Sequence, residues 1–264
     1  ALPIYSSGAT VDSITDYLTG TDKLAFTLNY SALVSGVTVV ADVTTAAAGT
    51  SALAATLTGN RGQAVYDTTN SVLNVNVNND NLMTSLDYQV GIGAASTAAN
   101  SVVSADINWT VTGTSSADSI TTGSGADTIV TGNGGDTVDS GAGIDTVTGG
   151  TGADTIDGGT GADTITGGDG VDSLTGGTGN DTFSYDADDS IGVVVAGDDN
   201  DTGQDSIVDW ASGDLIKITG ELATGFSAAT DVLVGTATGS KSDASVGAYL
   251  KTVYLVDRAG VADG

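Results

Sequence analysis

The sequence predicts an all-β fold, with a parallel β-solenoid in the middle of the chain and β-rich modules on either side. Three observations predict it. A nine-residue repeat carries one aspartate and one apolar residue at fixed places. Glycine fills 39 of the 264 positions, beside a single proline. The flanking segments alternate apolar and polar residues, as half-buried strands do.

Set in register, the repeat aspartates are Asp118, Asp127, Asp136, Asp145, Asp154, Asp163, Asp172 and Asp181, nine residues apart throughout. Two positions after each comes an apolar residue: Ile120, Ile129, Val138, Val147, Ile156, Ile165, Leu174 and Phe183. Glycine holds the fourth place of every copy but the first, which has Ser116. Six residues such as Gly158-Gly159-Thr160-Gly161-Ala162-Asp163 make a loop that needs positive φ, which glycine adopts readily. Thr164-Ile165-Thr166 then makes a short strand, with Ile165 inward and both threonines outward. Two such units form one coil, and coils stack at about 4.8 Å. Copies eighteen residues apart therefore become neighbours: Asp118 with Asp136, Asp127 with Asp145, and so on to Asp163 with Asp181.

Stacked carboxylates repel one another, and no Lys or Arg stands between Arg61 and Lys217 to pair with them. Paired carboxylates and loop carbonyls form an all-oxygen cage, which suits Ca²⁺ better than a softer metal. All eight repeat aspartates are candidate ligands. About four to six ions are expected in the array.

Composition narrows the function. The formal net charge is −27, with only six basic residues, which argues against nucleic acid or an anionic membrane as partner. The chain has no His and no Cys, so imidazole or thiolate zinc sites, Ser-His-Asp and Cys-His machinery and disulfides are all excluded. No apolar run approaches the roughly 20 residues of a membrane span, so direct membrane insertion is not expected. The opening "ALPIYSSGAT" lacks the basic and apolar regions of a signal peptide.

The copies "GGTGADTID", "GGTGADTIT", "GGDGVDSLT" and "GGTGNDTFS" resemble the RTX nonapeptide repeat, G-G-x-G-x-D-x-U-x with U apolar. The resemblance runs from about Gly113 to Ser184. It implies a right-handed parallel β-roll that folds on binding calcium outside the cell. It also implies type I secretion from a Gram-negative bacterium and an extracellular or cell-surface location. The first copy, "GTSSADSIT", lacks two of the glycines, which weakens the expectation of a site between Asp118 and Asp136.

Three regions follow: a cap-like β-rich module over 1–110, the β-roll over 111–184, and a cap leading into a second β-rich module over 185–264. "QDSIVDWASGDLIKITG" after the array resembles the segment that closes the far end of such a roll. Asp205 and Asp209 are its polar residues, and Trp210 covers the open core. "VDSITDYLTGTDKLAFTL", from Val11, matches it but has no roll before it. Either the chain is a piece of a longer tandem protein or this cap meets a neighbouring molecule's roll. In the first module Asn76, Asn78, Asp80 and Asp87 fall at places one, three, five and twelve of an EF-hand-like loop, a second candidate calcium site beside the plainer reading of a polar hairpin turn. The acidic run from Asp186 to Asp205 reads as a solvated loop.

These features point to a non-catalytic, calcium-dependent structural protein of the cell surface or extracellular matrix, such as an S-layer, fibre or adhesin subunit. Its expected partners are other copies of itself. One alternative is the non-catalytic secretion and folding region of a larger secreted enzyme. A second is an ice-binding roll, for which Thr128/Val130, Thr146/Thr148, Thr164/Thr166 and Thr182/Ser184 would form a flat ladder. Loop place five carries no Thr or Asn array to support it.

Overall fold

A computed structural model describes residues 12–14, 17–46, 62–67, 71–77, 88–92, 102–186, 193–195, 205–219 and 232–233. Among these residues there is no α-helix, only a 3₁₀ turn at Ser104–Asp106, and none is long and apolar enough to cross a membrane. The fold is all-β, built around parallel sheets, as a parallel β-roll requires.

The first strands are β1 (Asp12–Ile14), β2 (Leu24–Asn29), β3 (Thr38–Ala41) and β4 (Val43–Ala46). Next come β5 (Ala64–Asp67), β6 (Val72–Val75) and β7 (Tyr88–Ile92), which with β1 and β4 form a five-stranded sheet in the order β1-β7-β6-β5-β4. The roll proper continues with β8 (Ile107–Thr112) and β9 (Ser119–Thr122). Each repeat pair then adds one coil: β10 (Thr128–Asn133) with β11 (Thr137–Asp139), β12 (Thr146–Thr151) with β13 (Thr155–Asp157), and β14 (Thr164–Asp169) with β15 (Ser173–Thr175). Last are β16 (Thr182–Asp186), β17 (Val193–Val195), β18 (Asp205–Ile207), β19 (Leu215–Thr219) and β20 (Val232–Leu233).

One roll sheet has eight strands in the order β2-β8-β10-β12-β14-β16-β19-β20, and the other has seven in the order β17-β18-β15-β13-β11-β9-β3. All pairings between repeats are parallel. The register puts one apolar residue over the next. Leu28, Val111, Ile129, Val147, Ile165, Phe183 and Ile216 stack in one sheet. Val39, Ile120, Val138, Ile156, Leu174 and Ile207 stack in the other. The repeat members of both columns are at most 1% exposed, so the narrow core is continuous. Each buried aliphatic side chain contributes about 1.5–3 kcal/mol, but only once its neighbours above and below are in place.

The roll's sheets extend past the repeat array at both ends. At the N-terminal end β2 pairs with β8 and β3 with β9, so the segment that resembles a cap without a roll packs on the roll of its own chain. Phe26 lies against Trp109 with ring centroids 5.5 Å apart. The buried Tyr17 hydroxyl donates to Asp106 Oδ2 at 2.6 Å, and Lys23 Nζ lies 3.7 Å from Asp106 Oδ1. At the C-terminal end β18 and β19 add to the two sheets, and Trp210 stacks against Phe183 at 6.3 Å. Asp209 accepts the Gly176 and Gly177 N–H groups at 2.9 and 2.7 Å.

Candidate metal centre

From the third copy onward each repeat turns through its loop at the second and fourth places, where the glycines, Gly132 and Gly134 through Gly177 and Gly179, have positive φ. Gly161 shows why glycine is needed. Its φ is +145°, and a β-carbon there would overlap the carbonyl oxygen of Gly143 one coil before it. The clash is backbone against backbone, so no rotamer relieves it. This tight turn places the repeat aspartate at the mouth of the following strand.

The eight repeat aspartates form two ladders along the edges of the roll, each residue at most 4% exposed. On one edge the N–H of Asp118 donates to Asp136 Oδ1, Asp136 to Asp154, and Asp154 to Asp172, at 2.7–2.8 Å. On the other edge Asp127 donates to Asp145, Asp145 to Asp163, and Asp163 to Asp181, at 2.7–3.0 Å. The ladders run beyond the array. Asp172 N–H donates to Asp205 Oδ1 at 2.8 Å and Asp181 N–H to Asp214 Oδ1 at 3.0 Å. At the N-terminal end they stop on apolar residues, where the Val37 and Trp109 N–H groups donate to Asp118 and Asp127 at 2.6 and 2.7 Å.

One oxygen of each carboxylate is thus spent on the backbone. The other, Oδ2, is buried; at Asp154 and Asp163 it has no hydrogen-bond donor, while Asp127, Asp136 and Asp145 have only the hydroxyls of Thr122, Thr131 and Ser140 beside them. Burying a carboxylate oxygen without a partner is unfavourable, and the acidity of these groups records it. Burial, followed by repulsion from Asp127 and Asp163, pushes Asp145 up to about 7. Burial and neighbouring carboxylates likewise push Asp154 and Asp163 up to about 6, and raise Asp136 and Asp181. Asp127 is raised chiefly by burial.

The surroundings of Oδ2 identify what fits. A β-carbon added to Gly158 would lie 2.9 Å from Asp163 Oδ2 and 2.9 Å from the Gly176 carbonyl oxygen. One added to Gly149 would touch Asp154 Oδ2 and lie 2.5 Å from the Gly167 carbonyl oxygen. An unpartnered carboxylate oxygen and a carbonyl from the next coil therefore face one small space that glycine leaves open. The polar atoms nearest to it are oxygen acceptors, which is the donor set of Ca²⁺, with Ile165 Cδ1 3.1 Å from the Gly158 position. No group of three or more His, Cys, Asp or Glu side chains converges among the described residues, so carbonyls would complete any coordination here. Asp118 differs. Its Oδ2 accepts the Thr114 N–H at 2.6 Å, and its Oδ1 accepts the Thr114 hydroxyl at 3.0 Å as well as the Val37 N–H. The weakness of the first copy thus has a structural counterpart: both oxygens are occupied.

Of the other candidates, Asp205 lies in the ladder as well as in the cap. Asn76 is buried and continues the β5–β6 hairpin, donating its N–H to Gln63 O at 2.9 Å and accepting from Gly62 N–H at 2.7 Å. Asn78, Asp80 and Asp87 lie outside the described residues. Asp214 is a ladder residue that the reading of the repeat missed. A signal was present: Asp205-Ser206-Ile207 and Asp214-Leu215-Ile216 keep the aspartate and apolar places, nine residues apart. The phase is interrupted because the last ladder step spans 33 residues instead of 18, an excursion of 33 − 18 = 15 residues.

A family model described as the RTX calcium-binding nonapeptide repeat (4 copies) matches residues 112–147 and 148–183. The matched stretch coincides with the coils that carry the two ladders. Comparison with curated proteins and with solved structures gives no match. RTX nonapeptide repeats bind calcium, and proteins that carry them are typically secreted. The centre of this chain, residues 112–183, is an RTX calcium-binding nonapeptide-repeat array.

Proposed function

We propose that this chain is a calcium-dependent structural protein of the cell surface or extracellular matrix, whose roll completes its fold on calcium and then associates with further copies. The observation that carries the calcium dependence is the pair of buried Oδ2 atoms without a donor at Asp154 and Asp163, each facing a next-coil carbonyl across a space that glycine leaves open. A fold that buries these charges needs cations to hold it, and millimolar extracellular calcium supplies them. The candidate ligands are the ladder aspartates together with carbonyls of the next coil, such as Gly167 and Gly176.

A structural role is supported by the residue types that are missing, since the chain has no His or Cys for acyl transfer or zinc chemistry. The Thr-rich outer face of β10, β12 and β14 adds regular surface, while on the other sheet Asp139 and Asp157 stand among Thr and Ser. Because β2 and β3 pair with β8 and β9, contact between copies at that end would not be made by the first repeat coil itself. Head-to-tail contact gives open arrays when its rotation does not close. Static light scattering and electron microscopy, with the chain titrated from chelator into millimolar calcium, test the proposal. Ordered polymers or sheets that form on calcium and dissolve in chelator are expected. A compact monomer at high concentration in calcium would instead favour the carrier region of a larger secreted protein.

A further inference from the structure

The first place of the repeat loop, five residues before each ladder aspartate, changes along the roll. It is Gly113 in the first copy, where Asp118 Oδ2 already accepts the Thr114 N–H at 2.6 Å; it holds Thr122, Thr131 and Ser140 in the next three, and from Gly149 onward it is glycine with an Oδ2 that has no such donor at Asp154 and Asp163. The three hydroxyls are buried, and each reaches the first-place carbonyl of the next coil. Thr122 Oγ1 donates to Ser140 O at 2.9 Å, Thr131 Oγ1 to Gly149 O at 2.5 Å, and Ser140 Oγ to Gly158 O at 2.9 Å. Each also sits against the aspartate of its own repeat: Thr122 beside Asp127, Thr131 beside Asp136, Ser140 beside Asp145.

The same space stands open in the glycine repeats. There it is bounded by the unpartnered Oδ2 of Asp154 or Asp163, each at most 2% exposed, and by the carbonyl of Gly167 or Gly176. Calcium–oxygen distances are about 2.3–2.6 Å, so an ion touching both oxygens fills the volume that a threonine or serine side chain takes up. The carbonyl that such an ion needs already accepts a hydroxyl proton in the other three repeats.

We propose that calcium enters only the glycine-lined cradles, beginning at Gly149 and Gly158, while Thr122, Thr131 and Ser140 replace the ion with a hydroxyl-to-carbonyl bond. The roll then has a metal-independent N-terminal half, joined to β2 and β3, and a C-terminal half that calcium completes. Calcium-driven folding runs in one direction, from a standing template toward the Trp210 cap. The inference deepens the calcium dependence proposed above and rests on it.

The test counts ions on the full chain by equilibrium dialysis and isothermal titration, with circular dichroism confirming the fold in calcium. Gly149 and Gly158 have no positive φ, so serine carries no φ penalty there, and the coil must shift to admit a β-carbon 2.5 Å from the Gly167 carbonyl oxygen or 2.9 Å from that of Gly176. Gly149→Ser and Gly158→Ser each copy the arrangement at Ser140 and should each lose one bound ion. Ser140→Gly, which only removes atoms, should gain one. If Gly149→Ser fails to fold, Ser140→Gly carries the test in the opposite direction. An unchanged ion count in folded Gly149→Ser, or in Ser140→Gly, overturns the inference and makes the hydroxyl an additional ligand. A wild-type chain that binds no calcium would overturn the calcium dependence itself, and the two failures are distinct.

Discussion

Replacing Asp163 with asparagine should have opposite effects with and without calcium. The Oδ1 of Asp163 accepts the Asp145 N–H at 2.8 Å, a role the asparagine oxygen retains. Its Oδ2 has no donor, and burial with repulsion from Asp181 pushes the group from 3.8 up to about 6. Two units at ~1.4 kcal/mol each set a ceiling of about 3 kcal/mol on the penalty for ionising it in the metal-free roll near neutral pH. The amide avoids that penalty but leaves a buried N–H₂ unpaired, which costs about 1–2 kcal/mol. In chelator the variant should therefore be more stable by ~1–2 kcal/mol. In saturating calcium it loses a charged ligand and should be less stable than wild type by at least ~1.4 kcal/mol, a tenfold weaker site. Urea unfolding followed by Trp fluorescence and far-UV circular dichroism reads both conditions, with a stabilising osmolyte bringing the metal-free fold into range. Destabilisation by the same amount in chelator and in calcium would refute the reasoning, because Oδ2 would then serve a protein partner and not a cation.

Two further outcomes follow from the same geometry. In chelator the folded roll holds more protons than the unfolded chain, since Asp145 is raised to about 7 and Asp154 and Asp163 to about 6. Metal-free stability should therefore rise as the pH falls from about 7 toward 4 and be lost above about 7; with calcium present, acid should weaken the fold by competing for the same oxygens, and unfolding curves across this range check both signs. Gly161→Ala forces a β-carbon against the Gly143 carbonyl at a φ of +145°. It should cost about 2 kcal/mol or more in calcium; a Gly161→Ala midpoint equal to wild type in urea would contradict the turn geometry.

The repeat array was legible in the sequence because its rule is local. One nine-residue period sets the loop, the inward residue and the aspartate together, so Ile156 and Asp154 take their places once the coil has eighteen residues. The oxygen-rich, metal-seeking character of the edges followed from the same phase and from the missing basic partners. The closing aromatic Trp210 was legible too, because a solenoid must cover its last coil.

Long-range register decided the rest. Leu24 pairs with Ile107, a separation of 107 − 24 = 83 residues that no short period encodes, and this pairing makes the cap-like N-terminal segment a coil of its own roll. Asp214 enters the ladder only after the 15-residue excursion closes and β19 comes back into register with β16, which restores the phase in space though it is broken along the chain. The division of the roll by Thr122, Thr131 and Ser140 was also out of reach. A hydroxyl in a loop is unremarkable until the next coil lays a carbonyl at 2.5–2.9 Å from it. Composition and period set what each coil must bury; which oxygens meet across coils depends on stacking, and stacking exists only in the assembled fold.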